Sequence, residues 1–278
     1  MPAEMKLKYD RIGSWSIIKL EIIRDYAKAY SEILSTQRNP SFYHVYIDAF
    51  AGPGKHVYKD TGEFVPGSPQ IALDIHPPFR EYHFIDIDSA KVNELLMAVA
   101  QRPEAHIHYG DCNTILIRDV FPEVSFTDYK RGLCLLDPYG LHLKWEVIQT
   151  AGQMKSIDMF LNFPIADINR NVLWRNPESV PQVNIQRMND YWGDESWKEK
   201  AYSTQTSLFG WQVKQNNETI ASAFQERLRD VAGFKYVPKP LPMRNSRHAV
   251  VYYLFFASQK PVATSIISDI FNKYRGRG

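Results

Sequence analysis

The sequence predicts an α/β protein whose central sheet is mostly parallel and carries helices on both faces. Short apolar runs alternate with helical patterns five times in succession, and each of these runs ends in polar residues or glycines. Repeated strand and helix units predict parallel strands. Two further apolar runs near the C-terminus have no helical pattern between them, which predicts an antiparallel pair at one edge and seven strands in all.

Composition narrows the class of protein before any motif is considered. The chain has 278 residues, with 33 Lys and Arg against 31 Asp and Glu, a formal net charge of +2. A chain of this length can form a full hydrophobic core. Because the net charge is close to zero, a polyanionic partner would have to bind to a local basic cleft and not to the whole surface. Cys112 and Cys134 cannot form a zinc site alone, and no histidines show a metal spacing such as HExxH, so we expect no metal. The N-terminus lacks a secretory pattern and the longest apolar run, 249–257, is too short to span a bilayer, which predicts a cytoplasmic protein.

The first elements follow from apolar spacing and capping residues. Residues 1–40 are predicted as an N-terminal helical segment, because the apolar residues between Trp15 and Leu34 recur with helical spacing. Residues 41–278 then form the main domain, beginning with a strand at 43–47. A helix is predicted to start at Ser68 and Pro69, since serine is a favoured N-cap and proline a favoured first helical residue.

The later elements continue the alternation. Four more parallel strands are predicted at 81–85, 106–109, 132–136 and 158–161. Asp88 and Asn113 are predicted to cap the helices that follow the second and third strands. A helical insertion is expected at about 165–216. Beyond it we expect a helix at 219–231, the antiparallel strands at 235–237 and 249–257, and a last helix.

Acidic residues stand at four successive strand ends: Asp48, Asp86, Asp111 and Asp137. In open α/β sheets, ligands bind outside the carboxyl ends of the strands. Glycines after the first strand allow close approach of a ligand, although a tight turn alone would equally explain them. A carboxylate at the second strand end suits ribose hydroxyls. At the third, Asp111 would accept from an adenine amino group, with the Cys112 amide donating to a ring nitrogen.

The first loop contains neither GxxxxGK[ST] nor GxGxxG. The absence of both phosphate-binding patterns disfavours ATP and NAD and favours a nucleoside without phosphates. S-adenosylmethionine is the cofactor that this combination predicts.

The segment DAFAGPG resembles the first motif of DNA and RNA base methyltransferases, and the order of motifs over residues 40–278 resembles the Rossmann-like class I S-adenosylmethionine-dependent methyltransferase fold. The resemblance implies that the methionine end of the cofactor contacts Asp48, Phe50, Gly52 and Gly54. It likewise implies that Asp86 binds the ribose and that Asp111 binds the adenine.

A narrower resemblance concerns the set YIDAFAGPG, GSPQIAL, FIDID, GDCN and LDPYG, which is similar to the three-Cys-motif partner family. That resemblance implies a protein partner with a three-cysteine motif, itself similar to radical S-adenosylmethionine proteins. One departure from the usual fold is that residues 55–67 separate the first motif from its helix.

The segment Asp137-Pro138-Tyr139-Gly140 resembles the fourth motif, D/N-P-P-Y/F, of amino-methyltransferases, and without the second proline it is closer to the DPFG of tRNA guanine-N2 methyltransferases. The resemblance implies that Asp137 and the Pro138 carbonyl accept hydrogen bonds from an exocyclic amino group of a nucleobase. Tyr139 would stack on the base. The substrate would be a nucleic acid or a modified nucleoside, and a base in a duplex would have to flip out.

Two other functions fit the sequence. The chain would serve as a cofactor-binding or scaffolding subunit if the chemistry resides in the cysteine-motif partner, or it would methylate a small metabolite. Asn162 either lines the substrate pocket or simply ends the fifth strand, and His142 is either a base or a polar neighbour. The tryptophans of the insertion form either a substrate lid with Arg170 and Arg175 or a small core: Trp174, Trp192, Trp197 and Trp211.

Overall fold

The computed structural model describes residues 9–38, 40–206 and 212–276. The strands are β1 (Arg11–Ile12), β2 (Tyr43–Asp48), β3 (Lys55–Tyr58), β4 (Phe64–Pro66), β5 (Glu81–Asp86), β6 (Ala105–Tyr109), β7 (Lys130–Leu136), β8 (Ile157–Phe163), β9 (Tyr202–Thr206), β10 (Gln212–Lys214), β11 (Leu241–Arg244) and β12 (Val250–Ala257). The α-helices are α1 (Ser14–Thr36), α2 (Ser68–Leu73), α3 (Ser89–Ala98), α4 (Cys112–Ile115), α5 (Trp145–Met154), α6 (Ile165–Asn171), α7 (Gln182–Trp192), α8 (Trp197–Ala201), α9 (Asn217–Asp230) and α10 (Pro261–Tyr274). None of the helices within these ranges has the length and apolarity that a membrane crossing requires.

Seven strands form the central sheet in the order β11, β12, β8, β7, β2, β5, β6. Strand β2 pairs in parallel with β5 and β7, and β5 pairs in parallel with β6. Strand β12 runs antiparallel to both β8 and β11. The predicted fold class, a mostly parallel seven-stranded sheet with an antiparallel pair of final strands, is therefore confirmed.

The chain forms two compact units, one up to Leu135 and one from Leu136. In the first unit, β2 and β5 are almost entirely buried, and an aromatic group packs around Phe79. Tyr46 meets Phe79 edge to face at 5.5 Å between ring centroids, and Tyr30 of α1 stacks on it at 6.0 Å. Burial of these rings fixes the strands that carry the glycine turn and Asp86.

The second unit packs around Phe224 of α9. Its ring stacks on Phe163 of β8 with 4.6 Å between centroids, and Phe255, Tyr191 and Trp192 surround it within 5.8 Å. Trp192 and Trp197 are 1% and 3% exposed, so both belong to the interior of this unit, whereas Trp174 is 37% exposed. Trp211 lies outside the described residues. The insertion also contains the β9–β10 pair in addition to its helices.

Gly152 of α5 lies where the helix touches the loop that follows α9. A Cβ atom built on Gly152 would fall 2.1 Å from the carbonyl oxygen of Ala232 and 3.2 Å from the Phe234 ring. We expect Gly152→Ala to lower the free energy of unfolding by about 3 kcal/mol, because backbone atoms must move apart. Urea denaturation checks this value. Gln153→Ala, on an exposed position of the same helix, should change it little, and equal effects of the two substitutions would contradict the packing described.

Buried His44 of β2 predicts a loss of stability in acid. Its Nε2 lies 2.9 Å from Ser31 Oγ, and because Ser31 donates to the Pro77 carbonyl, the imidazole must donate to Ser31. Burial, together with the charge of Arg80, lowers the pKa of His44 from 6.5 to about 4. Between these values the unfolded chain binds a proton that the folded chain does not, so stability is lost as pH falls from 6.5 towards 4, by about 2 kcal/mol at pH 5.

Urea denaturation at pH 7.5 and pH 5 measures this loss. His44→Gln keeps an N–H donor but cannot titrate, so the difference between the two pH values should shrink by about 2 kcal/mol in the variant. Buried His83, whose pKa is also lowered to about 4 by burial, should retain its own contribution in both proteins. An unchanged difference in the variant would show that His44 does not titrate in this range.

Three local predictions were wrong. The strand before β12 lies at Leu241–Arg244, and at the predicted 235–237 only Tyr236 forms an isolated bridge, to Ser258. Gly67, not Ser68, is the N-cap of α2, and Ser68 and Pro69 are buried in its first turn. Asn113 lies inside α4, whose N-cap is Asp111, whereas Asp88 caps α3 as predicted.

Candidate functional site

The first unit carries a glycine turn at the carboxyl end of β2. Gly52 and Gly54 have φ values of +64° and +79°, in the left-handed region that favours glycine. Asp48 is fully buried beneath the turn and accepts a hydrogen bond from the Phe50 amide at 3.2 Å. The Ala51 amide donates to the Ile85 carbonyl at 2.9 Å, which ties the turn to β5. These bonds hold the turn in place, with Ala51, Gly52 and Pro53 buried and Gly54 half-buried.

The residues that separate this turn from its helix form the hairpin β3–β4. The hairpin leaves the turn after Gly54 and returns at Gly67, where the Gly67 amide donates to the Gly54 carbonyl at 2.8 Å. A Cβ on Gly67 would lie 3.0 Å from the Gly54 carbonyl carbon, so the two backbones are in direct contact. The insertion is thus closed at its base, and α2, whose N-cap is Gly67, begins next to the turn.

Asp86 is the side chain that links the turn to β5. Its Oδ2 accepts from the Gly52 amide at 2.8 Å, and its Oδ1 accepts from the Asp88 amide at 2.8 Å. Each carboxylate oxygen has two lone pairs, so each keeps the capacity for a further hydrogen bond. The hydrogen bonds from the two backbone amides hold the carboxylate in one orientation. A carboxylate that is to bind a pair of hydroxyl groups needs such a fixed orientation.

Two exposed apolar side chains flank Asp86, and sequence reasoning did not identify them. Ile87 is 71% exposed, and Tyr109, the residue opposite Asp86 on β6, is 65% exposed. From the sequence alone, a single isoleucine or tyrosine is expected to be buried in the core. Only the structure shows that these two side chains are exposed at strand ends, where they could contact a planar ring of a ligand. Together they give the site apolar walls beside its carboxylate.

Asp111 and Cys112 begin α4 at the third strand end. The Asp111 carboxylate accepts from the amide and the side chain of Asn113, at 3.2 and 2.9 Å, and from the Thr114 hydroxyl at 3.3 Å. Helix capping therefore already uses part of its acceptor capacity. Burial, with the charge of Asp111, raises the pKa of the Cys112 thiol to about 12, so the thiol stays neutral at physiological pH.

Cys134 is completely buried, as predicted, and burial likewise raises the pKa of its thiol. In the described part of the chain, no three His, Cys, Asp or Glu side chains are grouped in a way that would hold a metal ion.

The second unit contains Asp137, Pro138 and Tyr139 together with Asn162 at the end of β8. Asn162 Nδ2 donates to Asp137 Oδ1 at 3.0 Å and lies 3.4 Å from the Pro138 carbonyl oxygen. Asn162 is only 8% exposed, and its backbone carbonyl accepts a hydrogen bond from the buried Tyr191 hydroxyl at 3.0 Å. The amide therefore holds two acceptors of the predicted motif in a fixed arrangement, which the sequence did not reveal.

Tyr139 of this motif and His142, two residues beyond it, both face solvent. The Tyr139 ring is 72% exposed, the largest exposure among the large apolar side chains of the described residues. His142 is exposed as well, and its backbone amide donates to the Gly140 carbonyl at 2.9 Å. An exposed ring beside oriented acceptors is suited to stacking on a planar group.

Comparisons with known proteins bear on the fold. No family model and no curated protein matches the sequence. Among solved structures, the chain is similar to protein LPL1258 from Legionella pneumophila str. Philadelphia 1, with 11% identity, 93% of each chain covered and a TM-score of 0.54. That likeness shows a shared fold.

The chain is also similar to two methyltransferases, with lower TM-scores. One is the DszA carbon methyltransferase, with 13% identity, 87% of this chain and 54% of that chain covered, and a TM-score of 0.45. The other is the plantazolicin methyltransferase BpumL in complex with SAH, with 10% identity, 87% and 85% covered, and a TM-score of 0.36.

Proposed function

We propose that the chain is an S-adenosylmethionine-dependent methyltransferase that acts on an exocyclic amino nitrogen of a nucleobase, in nucleic acid or in a modified nucleoside. One observation carries the proposal. A single amide nitrogen, Nδ2 of Asn162, lies within hydrogen-bond distance of both Asp137 Oδ1 and the Pro138 carbonyl oxygen. The spacing of these two acceptors thus suits one nitrogen that bears two hydrogens, which is the chemistry of an exocyclic amino group.

The first unit supplies groups that fit the cofactor. Asp86, held by two backbone amides, has acceptor capacity left for the two ribose hydroxyls. Ile87 and Tyr109 offer apolar surface for the adenine ring, and the Cys112 amide, at the start of α4, is one that the helix itself does not use. The Gly52–Gly54 turn would meet the methionine part, where the absence of Cβ atoms permits close contact. When bound, S-adenosylmethionine supplies a methyl group activated by its sulfonium.

The second unit supplies groups that fit the acceptor nitrogen. Asp137 and the Pro138 carbonyl would accept the two amino hydrogens and so direct the nitrogen lone pair away from them. Conjugation of an amino group with its ring weakens as the nitrogen becomes pyramidal, and acceptors fixed in advance favour that geometry. Tyr139 would hold the ring plane by stacking. The roles that the sequence resemblance implies for these residues remain predictions. The protein partner with a three-cysteine motif also remains a prediction.

Incubation with methyl-labelled S-adenosylmethionine tests the proposal. Total RNA, total DNA, a nucleoside mixture and a nucleobase-free metabolite fraction would be assayed separately with the wild-type chain and with Asp137→Ala. We expect label in one of the nucleobase-containing pools and its loss in the variant. Label confined to the nucleobase-free fraction would make the chain a small-metabolite methyltransferase, and label that persists in Asp137→Ala would remove the motif from the reaction.

A further inference from the structure

A cluster of cationic and aromatic side chains lies at the amino ends of three neighbouring strands of the first unit, at the edge opposite the glycine turn. We define the amino-terminal rim by the following residues: Arg38, Phe42, Tyr43, Arg80, Phe126, Tyr129, Lys130 and Arg131. Tyr43 begins β2 and Asp48 ends it, so the rim and the turn are separated by about 17 Å of extended strand. The rim is therefore a different surface from the candidate cofactor site.

The aromatic rings of the rim face solvent. Tyr43, Phe126 and Tyr129 are 38%, 41% and 50% exposed. Phe42 packs edge to face on Tyr129 with 6.2 Å between centroids, and the Tyr43 hydroxyl donates to the Arg80 carbonyl at 3.3 Å. These contacts hold the rings in place, and the exposed fractions of the three side chains leave part of their surface in contact with solvent.

Two cations are stacked on these rings. The Arg131 guanidinium lies 4.0 Å from the Phe126 centroid and 4.7 Å from that of Phe42, and Lys130 Nζ lies 5.2 Å from the centroid of Tyr43. Arg131 also donates to the Phe126 carbonyl at 3.2 Å, which fixes the guanidinium in the stack. Cation–π contacts hold these side chains over the rings without neutralising their positive charge.

The charge of the rim is positive. It includes four cations, and the acidic residues within two positions of them in the sequence are Glu81 and Asp128. The Glu81 carboxylate lies 3.0 Å from His83 Nε2 and 3.4 Å from His106 Nε2. Within the described residues, Arg38, Arg80 and Lys130 form no ion pair with a carboxylate. Exposed rings for stacking and cations without an ion pair for phosphates are the two elements that single-stranded nucleic acids need.

We propose that the amino-terminal rim binds single-stranded nucleic acid, with Arg38, Arg80 and Lys130 contacting phosphates and the exposed rings of Tyr43, Phe126 and Tyr129 stacking on bases. A duplex hides its base faces, so it would lose the stacking contribution. This binding does not depend on the proposed methyl transfer. It would explain how a chain with a net charge of only +2 holds a polyanion through a local surface.

Fluorescence anisotropy with labelled 20-nucleotide single strands of RNA and DNA tests the rim. The variant Arg80→Ala/Lys130→Ala removes two cations, and Lys235→Ala/Lys239→Ala is the matched control, with the same change in net charge on exposed lysines of the second unit. We expect the rim variant to bind at least tenfold more weakly and the control less than threefold. The slope of log affinity against log salt should become shallower by about 1.4 in the rim variant, because about 0.7 is lost per phosphate contact on a single strand.

Tyr129→Ala tests the stacking part and should weaken binding of single strands by about fivefold or more. Equal losses in the rim variant and its control, no binding by the wild-type chain, or a duplex bound as tightly as a single strand would overturn the proposal. Thermal unfolding of each variant checks that the fold is intact. Calorimetry with S-adenosylmethionine separates the two proposals, because failure of cofactor binding would leave the rim result standing.

Discussion

Asp86→Ala is expected to weaken S-adenosylmethionine binding by about a hundredfold. The Asp86 carboxylate is oriented by the amides of Gly52 and Asp88, and each of its oxygens keeps acceptor capacity for the proposed ribose hydroxyls. Hydrogen bonds to a charged group contribute about 1.5–3 kcal/mol each, so loss of the pair costs at least about 3 kcal/mol of binding free energy, which corresponds to a hundredfold or more in affinity. The substitution also leaves the Gly52 amide without its acceptor, which loosens the glycine turn. Isothermal titration calorimetry measures the affinity directly.

Asp88→Ala provides a control at the same strand end. Asp88 caps α3 by accepting from the Ala90 amide at 2.9 Å, so its removal should lower stability by about 1 kcal/mol. The substitution keeps the Asp88 backbone amide that donates to Asp86, and the Asp88 side chain makes no contact that the proposed ribose site requires, so we expect at most a threefold change in affinity. Equal effects of the two substitutions would mean that the site responds to general loosening of the strand end and that Asp86 is not a ligand group.

Asp137→Ala is expected to reduce methyl transfer by at least about a hundredfold while leaving cofactor affinity unchanged. The substitution removes the acceptor that Asn162 orients at 3.0 Å, and preorganised groups of this kind contribute about 2.7–4 kcal/mol to the stabilisation of a transition state. Initial rates with saturating labelled cofactor, combined with calorimetry on the same variant, separate catalysis from binding.

Asp137→Asn distinguishes two roles of this side chain. If Asp137 acts as a hydrogen-bond acceptor, asparagine retains one carbonyl oxygen, and we expect the rate to lie between those of the wild-type chain and Asp137→Ala. A general base would make asparagine as inactive as alanine. Asn162→Ala should cause an intermediate loss, about tenfold, because it removes the group that orients Asp137 without removing the acceptor. A fully active Asn162→Ala would contradict the positioning argument.

The parts of the fold that sequence reasoning predicted correctly are those in which local pattern and tertiary role coincide. Strands β2, β5, β6, β7 and β8 appear within two residues of their predicted bounds. Four of them, β2, β5, β7 and β8, are buried along most of their length, as continuous apolar runs predict, whereas the edge strand β6 is only partly buried. Asp88 caps α3 as predicted, since an N-cap is a local interaction.

The parts that were missed depend on contacts between distant residues. Residues 55–66 contain Gly62 and several polar side chains and are followed by Gly67, so their pattern is that of a loop, yet they form a hairpin that also pairs with β1. The strand at 241–244 contains proline, which disfavours a strand by itself, and it is stabilised by pairing with β12. The role of Asn162 could not be read from the sequence, because its partner Asp137 lies 25 residues away.

The most direct test of the proposed activity is to locate the transferred methyl group. RNA and DNA incubated with the chain and deuterium-labelled S-adenosylmethionine would be digested to nucleosides and analysed by mass spectrometry with fragmentation of the base. We expect a labelled methyl group on an exocyclic nitrogen, absent when Asp137→Ala replaces the wild-type chain. Label on a ring carbon, a ring nitrogen or a ribose oxygen, or no labelled nucleoside despite measured cofactor binding, would contradict it.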